Sequence, residues 1–474
     1  MKNRLAAFPR WGYGIGLLLL FAGVTFAARL APQPPAVVSA ADLTPLSLDG
    51  VHRLLVLAPH SDDETLGTGG LIWSALKAGI QVRVVLATNG DGYMAATAEE
   101  FRKLYPTAHD YIRMGELRQK ESLAALALLG LPAEDVYFLG YPDHGTPLLW
   151  EQHWSATNPY TSTHSGVSRS PYAGTYNPLA VYAGEDYLAD VMSILDAYRP
   201  DLVVYPSPED VHPDHWGLSV FTRLALTELN HRDPAYLPRQ LTYLVHRPGF
   251  PEPRGLRPTA SLLPPPALYA IDHDWLRLDL QPGAVTAKEQ AVQAYRSQLP
   301  LLRRLLESFV RTNELFDEVS SMDLPSVAAG DPLNPATWKD AAGKPIPPAE
   351  VDPKKDVFSH RTAPATDLVA TYAARSASGE LWMCAQLDQA AAADLPYAIR
   401  LKALTQTGIE RFVAHTKPNP GEAAVSRSGD YYCAKTRLAD LGNPWALFMG
   451  AIVESPDPLY PFDQTAWEMI YVRP

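Results

Sequence analysis

The chain has 474 residues, a length that suggests two or three domains. Apolar residues make up 47% and charged residues only 19%, which excludes a wholly disordered chain. The 40 Lys and Arg against 52 Asp and Glu leave a net charge of −12 without any long basic run, so no nucleic acid is expected as partner.

At the N-terminus, Lys2, Arg4 and Arg10 precede an uncharged run from Trp11 to Ala28. That run is barely long enough to cross a bilayer as a helix, which takes about 20 residues. The basic flank lies in front of it, so the N-terminus stays in the cytoplasm and the rest is exported. Two readings stay open: a signal peptide cleaved near Thr25-Phe26-Ala27, or an uncleaved membrane anchor. Residues 1–45 hold this segment and its connection, and in both readings the body is extracytoplasmic. There Cys384 and Cys433, 49 apart, could pair; free buried thiols are the alternative. Two cysteines exclude a four-thiolate zinc site.

From residue 46 to 319, short β-branched runs alternate with helical stretches. Arg53–Ala58, Gln81–Ala87, Val136–Leu139, Asp201–Tyr205 and Leu241–His246 read as strands. Gly70–Ala78, Gly115–Leu129 and Asp186–Tyr198 carry helical periodicity, and one long amphipathic helix is expected from Thr286 to about Phe316. The alternation predicts an α/β fold, a Rossmann-like, mostly parallel sheet with helices on both faces. Residues 144–185 interrupt it with a polar excursion containing Trp150, Trp154, Tyr160, Tyr172, Tyr176 and Tyr182. It reads as a lid or substrate-contacting insertion, with some of those rings packing the excursion itself. Proline-rich 320–364 reads as a linker, in keeping with a chain that has 44 prolines. Within 365–474, seven runs between Thr366 and Val472 predict an all-β sandwich. That unit either binds carbohydrate or only holds the rest off the membrane. One aromatic per strand is ordinary core and favours the second role.

Two motifs carry the chemistry. Ala58-Pro59-His60-Ser61-Asp62-Asp63-Glu64 follows the first strand, where open α/β sheets place their ligands. Helix capping explains one polar residue there, not the whole run. Pro208-Glu209-Asp210-Val211-His212-Pro213-Asp214-His215 follows the strand ending at Tyr205. Together they supply His60, Asp63 and His215, three ligands with one open position, which is the pattern of a catalytic zinc. Without thiolates the set accepts other divalent metals as well. Asp62 could hold a water beside the metal.

These stretches resemble the PIG-L/LmbE family of zinc-dependent N-deacetylases. Further matches are Thr88-Asn89-Gly90-Asp91, Arg118-Gln119-Lys120-Glu121, Phe138 to Asp143, Lys288 to Gln298, and Arg311 to Phe316. The resemblance covers roughly residues 50–317, with Ser61 standing where the family usually has Pro. It implies removal of an N-acetyl group from an N-acetylglucosamine-type sugar, with Zn2+ on His60, Asp63 and His215 and Asp62 as general base. His212, oriented by Asp214, would stabilise the oxyanion or protonate the leaving amine. Arg118 and Asp143 match positions that contact the sugar, and Asp91 is a further candidate contact. Export favours an envelope glycan or exopolysaccharide as substrate. The alternatives are an amidase acting on another acylated amino sugar and a non-catalytic glycan-binding envelope protein.

Overall fold

A computed structural model describes residues 39–271, 274–354 and 364–473. The expected leader at Trp11–Ala28 lies outside these residues. Among the described residues no helix is long and apolar enough to cross a membrane.

The front half is built on strands β1 (Arg53–Ala58), β2 (Gln81–Thr88), β3 (Val136–Tyr141), β4 (Leu202–Pro206) and β5 (Arg239–Tyr243). They run parallel in the order β3-β2-β1-β4-β5. Beyond β5 come β6 (Trp275–Asp279) and β7 (Asn313–Glu318); β7 lies between β5 and β6 and is antiparallel to both. The order reverses direction between β1 and β4, which is the switch point where doubly wound sheets bind ligands. Both chemical motifs leave the sheet there.

Alternation along β1 explains the two helix layers. Leu54, Val56 and Ala58 face helices α1 (Asp63–Lys77), α2 (Ala108–Leu129) and the later helix Pro282–Val292, whereas Leu55 and Leu57 face the opposite layer. That opposite layer contains α3 (Thr146–Glu151), α4 (Gly184–Tyr198) and α5 (Pro213–Arg232). Neither face of the central strands meets water, which is why they read as unbroken apolar runs.

Two expectations are corrected. The single helix over 286–316 is instead α6 (Pro282–Val292) and α7 (Leu299–Leu306), followed by strand β7. Pro300 sits in the first turn of α7, where its missing N–H costs nothing but where a continuous helix would need that donor. The stretch 320–364 is no free linker, as far as it is described. Met322–Asp323, Ser326–Val327 and Glu350–Val351 each add to a sheet of the rear unit, and Trp338, in strand β8 (Asn334–Lys339), is fully buried. Residues 355–363 are outside the description.

The rear unit is a two-sheet sandwich. One sheet has β9 (Leu368–Ser376), β10 (Glu380–Leu387) and β13 (Tyr431–Arg437) at its centre. The other has β11 (Tyr397–Thr405), β12 (Gly408–His415), β14 (Ala446–Val453) and β15 (Glu468–Tyr471). Leu381, Met383 and Ala385 pack against Ile399, Leu401, Leu447 and Met449 between the sheets. Cys384 and Cys433, directly opposite on β10 and β13, form a disulfide.

The outer face of the second sheet is covered along β11, β14 and β15. Leu404, Phe448, Trp467 and Met469 join one continuous core with Trp150, Tyr187 and Phe221 of the α/β unit. Arg400 donates to Glu151 at 2.8 Å, and Lys402 Nζ lies 4.1 Å from the centre of the Trp154 ring. Much of the 144–185 insertion is therefore packing between units. Trp150 is wholly buried, whereas Tyr160 and His164 reach the pocket described below.

Candidate active site

The loop from β1 into α1 carries the first motif. Asp62 adopts φ 126°, a region that non-glycine residues rarely occupy, immediately before α1. The strained turn is held by Glu64, whose Oε2 accepts from the Asp62 amide at 2.9 Å while Oε1 accepts from the Tyr295 hydroxyl at 2.8 Å. Gly67, one turn on, is required by the approach of Tyr243: a Cβ there would fall 2.2 Å from that ring.

The expected ligand set converges. His60 Nδ1 and His215 Nε2 each lie 3.0 Å from Asp63 Oδ2, although the two histidines are 155 positions apart in the chain. Donors bonded to one tetrahedral zinc sit roughly 3.3 Å apart, so the spacing fits a single divalent ion. Asp63 Oδ1 is buried without a hydrogen-bond partner, as an ion-facing oxygen would be. The second nitrogen of each imidazole meets carboxylates: His215 Nδ1 is 2.9 Å from Asp210, and His60 Nε2 is 3.2 Å from Asp214 and 3.3 Å from Asp143. That backing fixes ring orientation and raises donor strength. The cluster calls for positive charge. Burial alone would lower the His215 imidazolium, but Asp210 and Asp63 raise it to about 9. The His60 imidazolium is likewise raised, against the effect of burial, by Asp143, Asp214 and Asp63.

Asp62 faces the same cavity. Burial pushes its carboxyl up; Arg118 pulls against that, while Asp63 and Glu64 add to the rise, and it stands at about 8. Arg118 is itself buried, donating to Ser61 O and Gly90 O and reaching Asp62 at 3.3 Å. Its guanidinium is thus committed to Asp62 and the motif backbone, although it borders the cavity. Asp143 also borders the cavity, with Oδ2 accepting from the Gly92 amide. Asp91 is buried and receives the Tyr172 hydroxyl at 2.6 Å.

Asp214 does bond His212, but through its backbone amide rather than its carboxylate. That carboxylate accepts from the amides of His144 and Thr146 and from the Thr146 hydroxyl. His212 instead receives the Asp214 amide on Nδ1 at 3.3 Å, because it is the N-cap of α5. A capping side chain points at the backbone two residues on. Burial, and then the charges of His60 and His144, hold the His212 imidazolium well below its ordinary value. With Nδ1 accepting the Asp214 amide, a neutral ring carries its proton on Nε2.

Sequence reasoning quoted Asp210 without giving it a role, and it passed over His144 and His246. The Asp210 carboxylate takes the amides of Val245 and His246 as well as His215. The available signal was its place in the second motif, since imidazoles that bind metals are usually backed by a carboxylate. His246 has its Nε2 3.9 Å from Asp63, on a loop that carries no motif.

The model of the GlcNAc-PI de-N-acetylase family, PIG-L, matches residues 55–226. A 1D-myo-inositol 2-acetamido-2-deoxy-alpha-D-glucopyranoside deacetylase of Mycobacterium sp. (strain KMS) is 30% identical over 266 residues, covering 54% of this chain and 77% of that protein. The enzyme of the same name from Actinosynnema mirum is 31% identical, covering 44% and 71%. Among solved structures, N,N'-diacetylchitobiose deacetylase from Pyrococcus horikoshii aligns over 67% of this chain and 95% of its own, at 17% identity and a TM-score of 0.37. An α/β sheet with both motifs at its switch point defines the class, an amide-cleaving deacetylase. The chain belongs to the PIG-L family.

Proposed function

We propose that the protein is a metal-dependent hydrolase that removes the N-acetyl group from an N-acetylglucosamine-type sugar, with Zn2+ or another divalent ion on His60, Asp63 and His215. One observation carries the reading: two imidazole nitrogens, from His60 and His215, each lie 3.0 Å from the third donor, Asp63 Oδ2, with Asp62 bordering the same cavity. What a divalent ion supplies at such a site is acidification of a water and polarisation of an amide carbonyl. The protein's own groups do the rest. Asp62, which borders the cavity beside the donor set, takes the water's proton as oxygen adds to the acetyl carbon. It then returns that proton to the amine nitrogen as the C–N bond breaks, giving acetate and a free amino sugar. Arg118 holds Asp62 in place. His212, whose Nδ1 takes the Asp214 amide, has Nε2 left to donate a hydrogen bond to the developing oxyanion.

The reaction takes place outside the cytoplasm, on an envelope or secreted glycan. The basic flank and apolar run before Arg29 support export, and the Cys384–Cys433 disulfide suits an oxidising compartment. Acetate release from N-acetylglucosamine and N,N'-diacetylchitobiose, with and without chelator, tests the activity. Release that chelator abolishes supports the reading, and no release from either sugar contradicts it.

A further inference from the structure

The cavity above the motifs measures about 2830 Å³, whereas sites for single small molecules span roughly 300–1,000 Å³. Its floor belongs to the α/β unit and is lined by His60, Asp62, Asp143 and His212. Part of its wall does not. Pro456, Pro458, Tyr460, Pro461 and Phe462, on the loop between β14 and β15 of the sandwich, line the same cavity. This loop lies far beyond residue 226, where the family match ends.

Tyr460 reaches a residue beside the site. Its hydroxyl is 3.4 Å from His144 Nδ1. The His144 ring stands 5.1 Å from that of His212, centre to centre, and the His144 amide donates to Asp214. The carboxylates of Asp214 and Asp143 are near enough to act on the phenol electrostatically. The loop is built rather than slack. Ser455 Oγ donates to the carbonyls of Asp457 and Tyr460, the Tyr460 amide donates to Asp457 O, and Phe462 N returns to Val453 O. Three prolines within Pro456–Pro461 restrict it further. The base of the loop is tied to the α/β unit, because Arg223 bonds Trp467 O and the Glu468 carboxylate.

A rigid loop carrying an aromatic ring into the rim of a large cavity offers a flat apolar face with one polar tip. A pyranose ring presents the matching surface, axial C–H groups edged by hydroxyls. We infer that the C-terminal sandwich supplies one wall of the amino-sugar site, and that Tyr460 is a specificity-determining contact for a second sugar unit attached to the N-acetylated one. The inference rests on the deacetylase reading above and names its substrate class, an oligosaccharide rather than a monosaccharide.

The test compares kcat/KM for N,N'-diacetylchitobiose and for N-acetylglucosamine in the full chain and in Tyr460→Leu and Tyr460→Phe. Leucine keeps apolar bulk without the ring; phenylalanine keeps the ring. The disaccharide-to-monosaccharide ratio should fall at least tenfold in Tyr460→Leu, mainly through KM, and stay within threefold in Tyr460→Phe. A ratio within twofold of the parent in Tyr460→Leu, with an unchanged melting temperature, overturns the inference and leaves the deacetylase reading intact. If the parent cleaves neither sugar, that reading fails. Calorimetric binding of the disaccharide to parent and Tyr460→Leu then decides the wall separately: tenfold weaker binding upholds it, and equal or absent binding overturns it.

Discussion

At the scale of single residues, the site concentrates cost in a few atoms. Asp62 stands at φ 126°, a conformation that costs on the order of 1–3 kcal/mol and persists because Glu64 holds its amide and Arg118 its carboxylate. The arrangement aims one carboxylate at the cavity while Asp63, next in the chain, turns to the imidazoles. Asp62→Asn preserves shape and removes the proton acceptor. Acetate release should fall at least about a hundredfold while bound metal is retained. A near-parental rate would remove Asp62 from the mechanism. The residues legible in sequence, His60, Asp63 and His215, are those whose type and spacing state their chemistry. The Asp214 contact to His212 was expected, but sequence could not show that the cap makes it through the amide rather than the carboxylate. Tyr460 was invisible because nothing local marks a tyrosine that folding brings 316 residues back to His144.

Among the elements, strands declared themselves better than connections. The buried parallel strands are continuous apolar runs, and Arg53–Ala58 has the expected ends. The failures share a cause. Two-residue strands such as Ser326–Val327 and Glu350–Val351 show no periodicity and owe their pairing to a neighbour far along the chain. The continuous helix over 286–316 fails because the apolar spacing continues past Pro300, where the backbone cannot. Lys288 then finds its partner in β7, at Glu314, and that buried pair ties α6 to the sheet while Glu314 also accepts the amides of Gly70 and Leu71. In the sandwich, the Cys384–Cys433 bridge closes a 49-residue loop. In the chain-entropy model, replacing both cysteines by serine should cost about 4 kcal/mol. Chemical denaturation of that variant under non-reducing conditions reads the loss. Equal stability of the two proteins would mean that the bridge constrains nothing.

Across the whole molecule, the two units share one core and one cavity, so the rear sandwich is structurally part of the site rather than a spacer. Their junction also carries a titrating group. Glu350, its Oε2 shut from solvent, accepts the Ala466 amide, and its carboxyl is raised well above the ordinary glutamate range by burial and by the charges of Glu209 and Glu468. A raised acid binds its proton more tightly in the folded chain, so its contribution to stability is complete below about pH 4.5. That contribution is lost as pH rises through the folded value. Glu350→Gln should therefore raise the melting temperature more at pH 8 than at pH 5, and an equal shift at both would exclude Glu350 as the cause. The central claim concerns the three donors beneath this junction. Elemental analysis of the purified protein beside His60→Ala tests it most directly: the account predicts about one divalent metal per chain in the parent and a marked loss in the variant. The same metal content in both would contradict it.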